Sequence, residues 1–183
     1  MKLFNTYFIL LLAASLRFQA DAQENINIVK LGGSLLSILE EGQGSEVQSY
    51  GGGSAAFEHQ ISRKFTLGLG VSVNTRTNDI ILLSEQLTLI SFEPEGRWYP
   101  KSATNGFYLG FAPGISLLEY KNNAVLSLNS KTLFSLGLKP GYQFKLGQRL
   151  ALQIGTGIGV YLPNDDIDPT LLLNLNLMLG YCF

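Results

Sequence analysis

The stretch "LLLNLNLMLGYCF", residues 171–183, decides the fold of this chain. Every second residue from Leu171 to Phe183 is apolar, whereas the positions between them include Asn174, Asn176 and Gly180. A period of two is typical of a β-strand, because successive side chains point to opposite faces of the sheet. The stretch therefore predicts a strand with one continuous apolar face and one face of polar and small residues.

The same alternation recurs in "FTLGLGVSV" (65–73), "GFYLGFAPGISL" (106–117) and "LALQIGTGIGV" (150–160). Short connections such as "SRK" and "LGQ" alternate with longer ones, which predicts an antiparallel up-and-down meander. An even number of strands lets such a meander close into a barrel without exposed edges. We predict eight strands, at about residues 26–39, 50–62, 64–74, 80–101, 105–120, 124–145, 149–161 and 170–183.

Two of these predicted strands depart from simple alternation. In the first, Ile26 and Ile28 are out of phase with Leu31 and Leu35. In the fourth, the apolar phase changes near residues 89–90. An extra residue in one strand shifts the phase of the residues that follow it, so we expect a β-bulge in the fourth strand.

Residues 1–22 have the features of a secretory signal peptide, which leaves residues 23–183 as one barrel domain. Lys2 precedes the apolar run "FILLLAA", and "ADA" (20–22) provides the small residues of a cleavage site. Without this leader, 11 of the 13 basic and 13 of the 14 acidic residues remain, and this balance argues against a nucleic-acid partner. The one cysteine cannot form an intrachain disulfide.

The apolar rows of the strands are predicted to face lipid. The opposite rows consist mostly of Gly, Ser, Ala, Asn and Gln, whereas the exterior of a soluble barrel would carry many charges. An eight-stranded barrel has little room inside, and rows of Leu and Phe from every strand would overfill it. The predicted fold class is therefore all-β: a single eight-stranded antiparallel transmembrane β-barrel. The alternative is a soluble, secreted lipophile-binding barrel with its apolar rows inside.

Aromatic residues and charges separate between the two predicted ends of the barrel. Short turns hold Arg63, Lys64, Lys101, Lys145 and Arg149, whereas the longer loops are mostly acidic, with Glu40, Glu41, Glu46, Asp79, Asp165, Asp166 and Asp168 against Arg76 and Lys121. Aromatic girdles mark the membrane–water boundaries of such barrels. We predict a girdle at the turn end of Phe65, Trp98, Phe107, Tyr142, Phe144, Tyr181 and Phe183, and one at the loop end of Tyr50, Tyr120 and Tyr161.

These features together resemble the small outer-membrane β-barrels of Gram-negative bacteria, with an OmpA/OmpX-like architecture. The closing "LGYCF" carries the resemblance, and "FEPEGRWYP" with "GFYLGFAPG" is similar to barrels of the Bacteroidetes type. The resemblance implies location in the cell outer membrane after export through the periplasm, with outer-membrane lipid and lipopolysaccharide as surroundings. It also implies that the terminal aromatic, Phe183, is part of the signal read by the barrel-assembly machinery.

Charged residues on the polar faces are predicted to form a network in the lumen: Glu58, Glu93, Glu95, Arg97, Lys101, Lys131 and Lys139. Isolated charges in a narrow barrel cost several kcal/mol, so we expect them to pair. The expected role is a neutral plug that closes the barrel, and the alternative is a gated conduit or a small-ligand site. Because each proline removes a donor, we expect a bulge or a locally irregular strand end near Pro94 and Pro100.

No catalytic residue, metal site or cofactor is predicted, and the chain is expected not to be an enzyme. His59 allows the alternative of an outer-membrane lipid A-modifying enzyme, but no matching Ser and acid arrangement is evident. "GTGIGV" lacks the spacing of a dinucleotide-binding loop. "NDDIDP" (164–169) lacks the pattern of a calcium-binding loop. The predicted function is a structural or interaction role in the cell envelope.

Overall fold

The computed structural model describes residues 26–40, 46–80, 83–122, 125–162 and 170–183. The predicted leader, residues 1–22, lies outside these ranges, as does the acidic stretch 164–169. The side chain of Tyr120, one of the predicted girdle residues, also lies outside the described part of the structure.

The described residues form eight strands, which confirms the predicted number. Two are longer than alternation alone predicts: the second begins at Glu46, and the third continues to Ile80. Backbone hydrogen bonds extend a strand pair beyond the apolar region regardless of side-chain polarity, and the period-two pattern does not report this. The strands are β1 (Asn27–Glu40), β2 (Glu46–Gln60), β3 (Phe65–Ile80), β4 (Leu83–Trp98), β5 (Gly106–Asn122), β6 (Val125–Leu146), β7 (Leu150–Tyr161) and β8 (Thr170–Cys182).

Each strand pairs antiparallel with the next, and β1 pairs with β8, so the sheet is a closed barrel. The closing ladder runs from the pair Ile28–Cys182 to the pair Leu39–Leu171. The apolar stretch at the end of the sequence therefore completes the barrel. Closure leaves no strand edge unpaired, as the even strand number predicted.

Every strand contributes exposed apolar side chains to the exterior of the barrel. Leu177 and Leu179 of β8 are 55% and 54% exposed, and Phe111 of β5 is 53% exposed. The residues between them point inward, as the buried Met178 and Gly180 show. Apolar side chains exposed around a whole barrel are the lipid-facing surface of a transmembrane barrel, which is the predicted inside-out arrangement.

The two irregular phases have a different explanation from the one expected. Pairs of β4 with β3 and β5 keep one register on both sides of Leu89, so the expected bulge at 89–90 is wrong. Leu89 is fully buried because it points into the barrel. In β1, Ile28 points inward whereas Leu31 and Leu35 are exposed to the outside. Apolar residues on the inner face thus broke the alternation.

Prolines coincide with interruptions of two ladders. Pairing between β4 and β5 stops after Phe92–Ile115 and resumes at Gly96–Phe111, and Pro94 lies in this gap. Pairing between β6 and β7 is interrupted beside Pro140. A proline has no backbone N–H to donate, which accounts for both gaps. Pro100 follows the end of β4, so it does not interrupt a ladder.

The two ends of the barrel differ. At one end, here called the terminal end, residues 26–27 and 183 lie beside the turns after β2, β4 and β6. At the opposite end, called the loop end, β1, β3, β5 and β7 finish and β2, β4, β6 and β8 begin. Within the described residues, no helix is long and apolar enough to cross a membrane.

Candidate functional site

Four charged side chains meet inside the barrel, and they are named here the four-charge cluster: Lys30, Glu58, Glu95 and Arg97. Lys30 Nζ and Arg97 Nη1 both donate to Glu58 Oε2, the latter over 3.0 Å. Arg97 also binds Glu95 through two parallel hydrogen bonds, Nε to Oε1 at 2.6 Å and Nη2 to Oε2 at 2.8 Å. The side chains come from β1, β2 and β4, so only the closed barrel brings them together.

Neutral polar side chains complete the cluster. Gln153 Oε1 accepts hydrogen bonds from Lys30 Nζ at 2.7 Å and from Arg97 Nη1 at 2.7 Å. Gln143 Oε1 accepts from Lys30 Nζ at 2.6 Å. The Tyr99 hydroxyl donates to Glu58 Oε1 at 2.8 Å. Burial, and then the Glu58 carboxylate, raise the pKa of Tyr99 above its ordinary value, so the phenol keeps the proton that it donates.

Tyr108 covers the cluster from β5. The guanidinium carbon of Arg97 lies 4.6 Å from the centre of the Tyr108 ring, which is the geometry of a cation–π contact. The rings of Tyr99 and Tyr108 are 5.5 Å apart. A Cβ atom at Gly141 would overlap the Tyr108 ring, so this glycine leaves the space that the ring occupies.

A second ion pair lies beside the cluster. Lys139 Nζ of β6 donates to Glu93 Oε2 of β4 at 2.6 Å, and both side chains are partly buried. Between these strands runs β5, whose inner face carries the small residues Gly110, Ala112 and Gly114. A side chain at Gly110 would clash with Glu95. The small residues of β5 thus leave the room that long charged side chains need.

The charges inside the barrel balance. In the four-charge cluster two cations face two anions, and the Glu93–Lys139 pair is also neutral. Lys30 and Glu58 are each 1% exposed, and Arg97 is 5% exposed. Each of these charges would cost several kcal/mol alone, whereas paired and hydrogen-bonded charges can be accommodated. The arrangement is a neutral network of paired, hydrogen-bonded charges.

A small polar cavity adjoins the four-charge cluster. Its volume is about 40 Å³, which is room for a few water molecules. Arg97, Lys139 and Asn176 contribute to its wall. Asn176 of the closing strand accepts a hydrogen bond from Gln153 Nε2 at 3.1 Å. The asparagines on the inner face of β8 therefore belong to the polar interior.

Apolar side chains fill the interior toward the loop end. This apolar cluster contains tyrosines as well as aliphatic residues, and all of its members are buried: Leu36, Ile38, Tyr50, Leu89, Leu133, Tyr161 and Leu172. The interior thus has a charged layer at the terminal end and an apolar layer at the loop end.

Of the seven charges predicted in the lumen, the structure places five inside: Glu58, Glu93, Glu95, Arg97 and Lys139. The placement of the other two was wrong. Lys101 is exposed because β4 ends at Trp98, which leaves this lysine in the turn. Lys131 is exposed because it lies beyond Leu133 of the apolar cluster, toward the loop end.

Seven predicted girdle residues are exposed on the outside at the terminal end: Phe65, Trp98, Phe107, Tyr142, Phe144, Tyr181 and Phe183. The placement of two others was wrong, because Tyr50 and Tyr161 are each 3% exposed and pack in the apolar cluster. Tyr50 is at an even position of β2 and Tyr161 at an odd position of β7, and both positions point inward. Proximity to a strand end was a poorer guide than the phase of the strand.

Sequence reasoning missed Lys30, Tyr99, Tyr108, Gln143 and Gln153 as members of the site. Lys30 is the one charge in the apolar run "INIVKLGG", which was a usable signal. Gln143 and Gln153 lie on the polar rows of their strands, but nothing local distinguishes them from solvent-facing glutamines.

His59 does not point into the barrel. It follows the exposed Phe57 in the outward phase of β2, and its Nδ1 lies 2.8 Å from Oδ1 of Asn27 on β1. Within the described ranges, no three His, Cys, Asp or Glu side chains are grouped so that they could hold a metal ion.

Three solved outer-membrane proteins have similar folds. Ail of Yersinia pestis, in complex with the heparin analogue sucrose octasulfate, superposes with a TM-score of 0.63 at 13% identity, over 88% of this chain and 100% of that one. Neisserial surface protein A superposes with a TM-score of 0.61 at 11% identity, over 85% of this chain and 96% of that one. OprG of Pseudomonas aeruginosa superposes with a TM-score of 0.52 at 11% identity, over 87% of this chain and 96% of that one. The fold is that of small outer-membrane β-barrels.

No curated protein matches the sequence. A family model described as "Protein of unknown function (DUF3575)" matches residues 51–168, which is more than half of the chain. The chain is therefore a member of the DUF3575 family.

Proposed function

We propose that this chain is an integral outer-membrane barrel with a sealed interior and a structural or interaction role in the cell envelope. The observation that carries the proposal is the four-charge cluster, a neutral and fully hydrogen-bonded plug across a narrow barrel. Eight strands enclose a space that side chains fill, so the cluster leaves no continuous channel. The apolar cluster at the loop end supports the same conclusion, because ions do not cross a packed apolar layer.

The outer-membrane location is supported by the fold and by the apolar exterior. The surroundings would then be phospholipid at the terminal end and lipopolysaccharide at the loop end. The exposed terminal aromatic, Phe183, would be read by the barrel-assembly machinery during insertion. These partners agree with the orientation in which the chain ends lie in the periplasm.

The two alternative functions have less support. A soluble lipophile-binding barrel needs its apolar rows inside, whereas here they are exposed around the exterior. A lipid A-modifying enzyme built on His59 needs an activated nucleophile beside the imidazole. The neighbour of His59 is the amide of Asn27, which neither activates the imidazole nor acts as a nucleophile.

Conductance across a planar bilayer tests the sealed interior. We expect the wild-type protein to insulate, because the plug and the apolar cluster close the barrel. The fourfold variant Glu58→Ala, Arg97→Ala, Leu89→Ala and Leu133→Ala opens both the charged and the apolar layer, and we expect discrete conductance steps from it. Leu177→Ala on the lipid-facing surface is the control and should insulate. Stable ion conductance by the wild-type protein would show that the interior is not sealed.

A further inference from the structure

We infer that the terminal end of the barrel carries a binding surface for the anionic headgroups of phospholipids. Five basic side chains form this surface, named here the cationic rim, and all five are exposed: Arg63, Lys64, Lys101, Lys145 and Arg149. The inference rests on the proposed function, because it needs the barrel to span a membrane with its terminal end toward the phospholipid leaflet.

The cationic rim is one connected structure. The carbonyl groups of Arg63 and Lys64 accept hydrogen bonds from the amides of Ala103 and Tyr99, both at 2.7 Å, which joins the turn after β2 to the turn after β4. The amide of Lys145 donates to Asn105 Oδ1 at 3.3 Å, and this contact adds the end of β6.

The third turn is joined to the closing strand. The amide of Cys182 donates to the carbonyl of Arg149 at 2.7 Å. All five basic side chains of the rim are exposed, so they point away from the interior of the barrel. The rim therefore presents positive charge around the perimeter of the barrel.

Few acidic residues are described near the positive charges of the rim. Among the described residues at this end (26–30, 58–68, 95–106, 143–152 and 178–183), the carboxylate side chains are Glu58 and Glu95. Both are buried and paired with Arg97. Among the described residues, the exposed charged side chains of this end are thus cationic.

Aromatic residues place the rim at the depth of lipid headgroups. Lys64 precedes Phe65, and Lys145 follows Phe144. Both phenylalanine side chains are exposed on the lipid-facing exterior. Arg149 Nη1 donates to the hydroxyl of Tyr181 at 3.3 Å. Since aromatic girdles lie at the membrane–water boundary, cations just beyond them meet phosphate groups.

The distribution favours a lipid rather than an acidic protein as the partner. The five cations follow the outer edge of the barrel over three turns and lie beside lipid-facing side chains. A shell of phospholipids surrounds this edge on every side, whereas a protein partner would contact one part of it. Near an anionic membrane surface, each Lys or Arg strengthens binding by about fivefold.

The one tryptophan of the chain provides the test, because Trp98 is 41% exposed on this girdle and pairs with Phe65. The protein is reconstituted in mixed vesicles in which either phosphatidylglycerol or phosphatidylcholine carries dibrominated chains, which quench tryptophan fluorescence on contact. We expect a relative binding constant of about fivefold in favour of phosphatidylglycerol, and we expect added salt to lower it.

Matched variants locate the effect. Arg63→Gln with Lys101→Gln removes two charges from the cationic rim, and we expect the preference to fall below about twofold. Arg76→Gln with Lys131→Gln removes the same two residue types toward the loop end and should keep the preference. Heat-dependent mobility in gels shows that each variant is folded.

Two outcomes would overturn the inference. Equal quenching by both brominated lipids in the wild-type protein would exclude a headgroup preference, while still placing Trp98 in the membrane. An equal loss in both double variants would assign the preference to net charge rather than to the rim. Trp98 fluorescence that neither lipid quenches would instead contradict the proposed membrane-spanning barrel.

Discussion

Arg97 contacts two carboxylates and an aromatic ring inside the barrel. It pairs with Glu95 on its own strand and with Glu58 on β2, and its guanidinium lies over the ring of Tyr108. A planar guanidinium can satisfy two carboxylates and an aromatic face together, which the compact ammonium group of a lysine cannot do. At the scale of single residues, Arg97 therefore links the two carboxylates of the four-charge cluster.

A double-mutant cycle measures this role. Arg97→Met should lower the free energy of unfolding by about 3–5 kcal/mol, because it leaves Glu95 and Glu58 with unbalanced charge. Glu95→Leu should also destabilise the barrel, and the double variant should lose less than the sum of both. Urea unfolding in lipid vesicles gives the three values. Simple additivity would contradict direct coupling, and Lys145→Met serves as the exposed control.

Individual residues also show the limits of sequence reasoning at this scale. The phase of β2 and β4 alone predicts that Glu58 and Arg97 lie in the lumen. The phase of β1 does not identify Lys30, because Ile28 and Leu31 face opposite sides of the sheet. Position near a strand end predicts a girdle for Tyr50 and Tyr161, whereas both side chains face inward.

At the scale of elements, inner-face glycines are what let large side chains fit inside. Tyr108 lies against Gly141 of β6 and Gly155 of β7, and its hydroxyl would be 2.7 Å from a Cβ atom at the latter position. Glycine weakens a strand by its conformational freedom, so these positions lose some strand stability while making room for the plug. The alternation of Gly with apolar residues in "LALQIGTGIGV" has this packing function.

Substitution of one such glycine tests the relation between element and plug. Gly141→Ala should lower the free energy of unfolding by about 1–3 kcal/mol, because its methyl group would overlap the Tyr108 ring. Gly51→Ala is the matched control, since a Cβ there meets nothing within 4 Å. We expect the control to be neutral or slightly stabilising. Equal unfolding midpoints for the two variants would contradict the packing of Tyr108 against β6.

At the scale of the whole molecule, the barrel reverses the usual distribution of polarity. Its ion pairs are inside, and its leucine rows are outside. This arrangement is stable only where the surroundings are apolar, because the exposed rows gain nothing from contact with water. This distribution of polarity therefore favours a barrel that spans a membrane.

Charged substitutions at two depths test the lipid-facing exterior. Leu177 pairs with Gly33 and Ile154 near the middle of the wall, and Leu177→Arg should cost about 2–4 kcal/mol of stability. Leu171 lies one residue into β8 at the loop end, and Leu171→Arg should cost about 1 kcal/mol or less. Unfolding titrations in vesicles measure both. Equal small effects at the two positions would mean that water, not lipid, surrounds the barrel.

The period-two pattern was sufficient to predict eight strands, their antiparallel order and the face that meets lipid. These features are local, because the direction of a side chain along a strand depends on its parity. The errors have local causes as well. The ends of β2 and β3 are polar, so alternation does not show their full length. Leu89 is an apolar residue on the inner face, which changes the apparent phase of β4 as a bulge would.

The contacts within the interior were decided only by the closed barrel. Arg97 and Glu58 are 39 residues apart, and Lys30 and Gln153 are 123 residues apart. Which inward-facing residues meet depends on the stagger between strands, and that stagger is set when β1 pairs with β8. The alternation along each strand therefore determines which side chains point into the barrel and which point to lipid. The partners of each buried charge are determined only when the sheet closes.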